Sequence, residues 1–223
     1  MRILILLFPF LLNAQTIKVL TIDTGLDLSH DFINQHVKEL PDENYKDEIG
    51  HGTFVAGMIL KDTCPEVEYI SCRFLFTFKD SNEIRMERIY KCFERARTLK
   101  VDFINYSVSG KTPDEKEPLL IAKLSKRTKV IAAAGNENLD LSKEEAYLAS
   151  YNLANVIIVG NLWYPFIKHP TSNYNYPGMV WELGTNIEST LPQNKTGYMT
   201  GTSMATAAHT NRLIKKKCKE IHK

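Results

Sequence analysis

The sequence predicts an α/β fold, a mostly parallel β-sheet with helices on both faces, and two observations predict it. Short β-branched runs alternate with helix-compatible stretches along the first two thirds of the chain, the order that parallel sheets with crossover helices require. The runs are also nearly continuous in apolar residues rather than strictly alternating, as suits strands covered on both faces. In order, the strand candidates are TIKVLTID (16–23), VEYISCRF (67–74), VDFINYS (101–107), TKVIAAAG (128–135) and NVIIVGN (155–161). Between them lie the glycine-punctuated stretch from His51 to Leu60, a helix over 82–99, a helix-compatible segment near 116–127 and a weaker one near 142–153. The 82–99 helix carries its apolar face as Ile89, Cys92, Phe93, Ala96 and Leu99, at the spacing of one helix side. Beyond Asn161 a loop rich in Pro, Tyr and Asn leads to short strands around 179–184 and 195–200, then to a final helix from Thr202 to about Lys217.

Composition excludes several classes. Of 223 residues, 43% are hydrophobic and 24% charged, which rules out disorder. With 28 Lys+Arg against 26 Asp+Glu, the net charge of +2 argues against nucleic acid as the partner. Four cysteines (Cys64, Cys72, Cys92, Cys218) form no C-x-x-C pair and make a zinc site improbable by spacing. Their pairing stays open, except that Cys92, on the apolar helix face, reads as a buried free thiol. Residues 1–14, MRILILLFPFLLNA, place Arg2 before an apolar run ending near a small residue, Ala14. They read as a signal peptide, leaving residues 15–223 as one domain that is secreted or periplasmic and has no membrane anchor. The run Lys215-Lys216-Lys217 reads as a solvated helix end, and Asn194-Lys195-Thr196 is a glycosylation sequon.

In a parallel sheet, functional groups gather at the carboxyl ends of the strands. There the chain places Asp23 before Thr24-Gly25, His51 between Gly50 and Gly52, Asn136 after Gly135, and Ser203 after Gly201-Thr202. A serine hydroxyl becomes a nucleophile when an imidazole takes its proton, and a carboxylate fixes and charges that imidazole. An amide donor completes a site for an oxyanion. Each residue alone has an ordinary structural reading, as a turn, cap or packing residue. Their joint occurrence in one order points to catalysis.

Taken in order, VLTIDTGLD (19–27), GHGTFVAGMI (50–59), FINYSVSG (103–110), AAAGNEN (132–138) and TGTSMATAA (200–208) resemble the subtilisin-like (subtilase) serine endopeptidases. The resemblance implies the three-layer subtilisin-like fold and peptide-bond hydrolysis through an acyl-enzyme with no cofactor and no metal. It implies Asp23 as orienting carboxylate, His51 as general base, and Ser203 as nucleophile. Asn136 and the Ser203 N–H form the oxyanion hole, with Gly52 and Gly201 permitting close backbone approach. Ser107, Val108 and Ser109 resemble the edge strand that pairs with substrate, and Ala133 and Gly135 belong to the pocket wall. The walls 107–109 and 132–135 carry no carboxylate, which leans toward an apolar side chain before the cut.

The sequence departs from the family pattern at Phe54, where a second histidine is common, at Ala207, where proline is common, and at His209-Thr210-Asn211, which replaces a more apolar run. It also shows no evident pro-segment, so a separate inhibitor or folding partner is one expectation and a catalytically silent domain that binds peptides or a partner protein is the alternative function. An esterase using the same triad is disfavoured, because G-T-S-M-A with Ser last is not the G-x-S-x-G order.

Overall fold

The computed structural model describes residues 16–37 and 45–223. The proposed signal peptide lies outside the described residues. Five strands form the parallel core of the sheet: β1 (Ile17–Asp23), β2 (Val67–Arg73), β3 (Phe103–Tyr106), β4 (Lys129–Ala133) and β5 (Val156–Tyr164), in the order β2-β1-β3-β4-β5. β6 (Ile167–Lys168) folds back antiparallel on the end of β5, and β7 (Val180–Leu183) pairs with β5 in parallel. A separate hairpin joins β8 (Ile187–Leu191) to β9 (Lys195–Met199). The helices are α1 (Asp31–His36), α2 (His51–Leu60), α3 (Asn82–Leu99), α4 (Lys116–Ala122) and α5 (Thr202–Ile221).

Successive strand residues point to opposite faces, and the core divides accordingly. Leu20, Ile22, Ile70, Ile104 and Val130 pack under α3 and α4, whereas Val19, Tyr69, Phe103 and Ile131 pack under α2 and α5. This is the three-layer arrangement the sequence predicts. Phe54, fully buried in the α2–α5 layer, fills core volume in place of the family's second histidine.

Four expectations change. Residues 142–153 form no α-helix, only a 3₁₀ turn at Ala149–Tyr151. The segment is drawn into another pairing: Gly110 and Tyr147 exchange hydrogen bonds of 2.9 and 3.0 Å, so Tyr147 donates away from its own segment. α4 ends at Ala122 rather than 127, because the chain turns at Ser125–Thr128 to enter β4. α1 and the short strands β6 and β8, which periodicity did not predict, are present. Cys92 is not a free thiol. It is bonded to Cys72, since β2 turns Cys72 toward the same layer that receives the apolar face of α3. The second disulfide, Cys64–Cys218, joins the segment after α2 to the end of α5. By loop-closure entropy the longer link contributes about 5 kcal/mol and the shorter about 3 kcal/mol.

The polar run on α5 packs without orphaned groups. His209 bonds Glu182 of β7 at 2.9 Å, Thr210 donates to Asn105 at 2.9 Å, and Asn211 donates to the carbonyls of Ile59 and Lys61. Asn211 thereby satisfies carbonyls that the end of α2 leaves without helical partners. Ala207 is fully buried in the same layer.

Candidate active site

Asp23 ends β1 and is buried, with its Oδ1 accepting from the His51 imidazole Nδ1 at 2.7 Å and from the Thr24 N–H at 2.8 Å. His51 opens α2 and is half-buried. Burial disfavours its cation, but the charge and hydrogen bond of Asp23, with the more distant charge of Asp47, outweigh that and hold the imidazole above its ordinary pKa. Gly52 is required here: a Cβ would overlap the Gly25 carbonyl, so only glycine lets the start of α2 approach the end of β1.

Asp47 is a residue that sequence reasoning missed. It is buried, and its two oxygens accept from the N–H groups of Ile49, Gly50 and Thr53 and from the hydroxyls of Thr24 and Thr53, at 2.7 to 3.1 Å. The cap residue Gly50 has no side chain to offer, so Asp47 takes the Thr53 N–H of the first turn of α2 together with the two N–H groups that lead into it. Thr24 then accepts from the Gly52 N–H at 2.8 Å, so one network fixes both partners of the Asp23–His51 pair.

Ser203 sits in the first turn of α5, where unpaired N–H groups and the helix dipole favour negative charge. Its hydroxyl donates to the Ser107 carbonyl at 3.4 Å rather than to His51. Asn136 is exposed, and its Oδ1 accepts from the Thr202 N–H at 3.0 Å and from the Thr202 hydroxyl at 3.2 Å. Because the oxygen accepts from Thr202, the Nδ2 amide is the end left to donate. At Gly201 the nearest atom to an added Cβ is Asn136 Oδ1 at 3.5 Å, an ordinary contact. The close approach expected there falls instead at Gly184, whose Cβ would meet Gly201 O and Ala205 N at 2.6 Å.

A pocket of about 250 Å³ opens beside Ser203, lined among others by Ser107, Val108, Ser109, Ala133, Gly135 and Asn136. All five expected substrate-binding residues therefore share one cavity. Phe74 and Glu137 also line it: the segments 107–109 and 132–135 carry no carboxylate, but Glu137, just beyond them, adds one to the lining. Asn105, fully buried in β3, donates to the Ser107 hydroxyl at 3.0 Å and ties the edge segment to α5 through Thr210. Asn173, also fully buried, holds the other wall. Its Nδ2 donates to the Ala134 carbonyl and to Glu137, and its Oδ1 accepts from the N–H groups of Glu137 and Leu139, at 2.8 to 3.1 Å. Neither asparagine carried a local sequence signal beyond being polar inside or beyond an apolar run.

Among the described residues, one group of side chains has the proximity of a metal site, Cys64, Glu66 and His222. Cys64 is bonded to Cys218 and has no thiolate to offer. No helix among the described residues is long and apolar enough to cross a membrane.

Residues 14–213 match the model of the subtilase family. The chain is 34% identical over 214 residues to the major intracellular serine protease of Bacillus subtilis (strain 168), an alignment covering 86% of this chain and 66% of that protein. It is 31% identical over 205 residues to subtilisin of Bacillus pumilus, covering 87% of this chain and 74% of that protein. Among solved structures, a cold adapted subtilisin-like serine proteinase superposes with a TM-score of 0.74 at 20% identity, over 91% of this chain and 77% of that one. With the family's motifs at the carboxyl ends of β1, β3 and β4 and at the starts of α2 and α5, this chain belongs to the subtilase family.

Proposed function

We propose that this protein is a serine endopeptidase that hydrolyses polypeptides through an Asp23–His51–Ser203 triad. The observation that carries the reading is the 2.7 Å Asp23–His51 hydrogen bond, at the same end of the sheet as the helix start that presents Ser203 beside Asn136. For attack, the Ser203 hydroxyl leaves the Ser107 carbonyl and gives its proton to His51 Nε2 as Oγ bonds the scissile carbonyl carbon. The oxyanion receives the Asn136 amide and the Ser203 N–H. The imidazolium, stabilised by Asp23, then protonates the departing amine, leaving an acyl-enzyme. Water, deprotonated by His51, attacks the ester carbonyl, and collapse of the second tetrahedral adduct returns the proton to Ser203 Oγ.

The pocket beside Ser203 receives the side chain preceding the cut, and Glu137 on its wall gives that pocket a carboxylate. The freed backbone of Ser107–Ser109 serves as a strand edge for substrate. Two disulfides and the apolar N-terminal run support an exported protein, because such bonds persist in oxidising compartments.

A fluorophosphonate probe tests the reading, since it labels only an activated serine. Wild type is expected to label and to cleave peptides, whereas Ser203→Ala and His51→Ala, folded by circular dichroism, lose turnover by about 10⁶-fold. One observation favours a second reading, a peptide-binding domain without turnover: the Ser203 hydroxyl is bonded to Ser107 and not to His51. Folded wild type that stays unlabelled establishes that alternative.

A further inference from the structure

We infer that the β5–β6 hairpin is a second docking surface for the substrate chain, taking extended, unfolded polypeptide through its aromatic and aliphatic side chains. The inference rests on the endopeptidase reading for its biological setting and on the hairpin itself for its evidence. At the tip, Trp163, Tyr164, Phe166 and Ile167 are 50, 59, 99 and 54% exposed, with no charged residue among them. A cluster of this kind is what surface apolar patches look like when they bind something.

The backbone sharpens the point. Tyr164 pairs with Ile167, so Pro165 and Phe166 form a two-residue turn, and Phe166 sits at φ +70°. That conformation suits glycine or asparagine and costs stability in a bulky residue. Phe166 has no packing to offset the cost, because its side chain is almost wholly in solvent. A bulky ring at a strained, solvated position with nothing inside the fold to pack against is placed for contact with something outside it.

Two observations select polypeptide as the occupant. The first is continuity with the cleft. The loop leaving the hairpin is stitched to the segment that carries Asn136: Asn138 N–H bonds the Thr171 carbonyl at 2.7 Å, Asn173 N–H bonds the Gly135 carbonyl at 3.0 Å, and Lys168 Nζ donates to Asn138 Oδ1 at 2.8 Å. A chain threaded through the pocket therefore has the hairpin at a fixed distance from its scissile bond. The second is charge. The nearest cation, Lys168, is engaged by Asn138 and by the carbonyls of His169, Pro170 and Ser172, which leaves it unsuited to lipid phosphates.

The test uses Trp163→Ser with Phe166→Asn, a pair that removes the rings while giving the turn a residue its φ prefers, so melting temperature is expected to hold or rise. With a reduced, alkylated protein as substrate, kcat/KM is expected to fall about tenfold, while a short chromogenic peptide is cleaved within about twofold of wild type. Equal losses on both substrates, or no loss on either, overturn the inference. Binding to zwitterionic vesicles that depends on the two rings, with cleavage unchanged, also overturns it. The same comparison made in the Ser203→Ala background, as affinity for the alkylated protein followed by titration, does not depend on turnover. If wild type fails to label with the fluorophosphonate, the triad reading falls while a ring-dependent affinity still upholds the hairpin, and a ring-independent one removes it.

Discussion

Asp23 and His51 lie 2.7 Å apart, with Asp47, Thr24 and Thr53 bonded around them, whereas Ser203, across the cleft, holds only a main-chain carbonyl at 3.4 Å. The first half of the active edge is a buried polar network in which five donors converge on one carboxylate. The second half is a helix start with one exposed amide beside it. On the proposed triad, the contrast teaches that orientation and charge are built in advance on the acid–imidazole side, while the serine is held by one long hydrogen bond that is easily exchanged. Catalytic hydrogen bonds that are loose without substrate commonly tighten once it binds.

Removing the carboxylate breaks the first half most severely. Asp23→Asn leaves a group of the same shape that favours the wrong imidazole tautomer, and turnover is expected to fall about 10⁴-fold with the fold intact, as steady-state kinetics and circular dichroism would show. A loss of less than tenfold would mean that His51 does not depend on this contact.

The second half is probed at Asn136. Asn136→Ala removes the proposed side-chain donor to the oxyanion, and kcat is expected to drop about 10²- to 10³-fold with little change in KM. Since Asn136 also accepts from Thr202, a melting curve separates that structural bond from the catalytic one. A matching rise in KM instead would place Asn136 in ground-state binding.

The smallest expected effect distinguishes network from triad. His51 has a raised pKa, and it acts as a base only when neutral, so activity falls as pH drops through that raised value. Asp47→Asn removes one of the charges that stabilise the cation, so the acid limb of kcat/KM is expected to move to lower pH. An unchanged limb, with only a lower melting temperature, would reduce Asp47 to a support of α2.

Much of this edge was legible because its residues carry local signals. Asp23, His51, Asn136 and Ser203 each stand within two residues of a glycine near a strand end or helix start, and five apolar runs located the strands that bring them together. Asp47 was not legible, since it satisfies the first turn of α2 from three residues before the cap, outside the usual capping spacing. Asn173 acts across a separation of more than thirty residues, which no window along the chain records. The helix expected over 142–153 failed because Gly110 and Tyr147 trade the backbone bonds a helix would need. Cys92 was placed on the correct face, but periodicity says which side a residue presents and not what meets it there.

Cys64 and Cys218 are 154 residues apart in sequence, and the Cys72–Cys92 bond lies inside that span. A molecule with the proposed activity is also a candidate for its own cleavage. Any single nick between Cys64 and the start of α5 leaves two pieces still tied by a covalent bridge, with the helix that presents Ser203 held on one piece and α2 with His51 on the other. Cut once in an exposed loop such as 111–115, the molecule would run as one band until its disulfides were reduced.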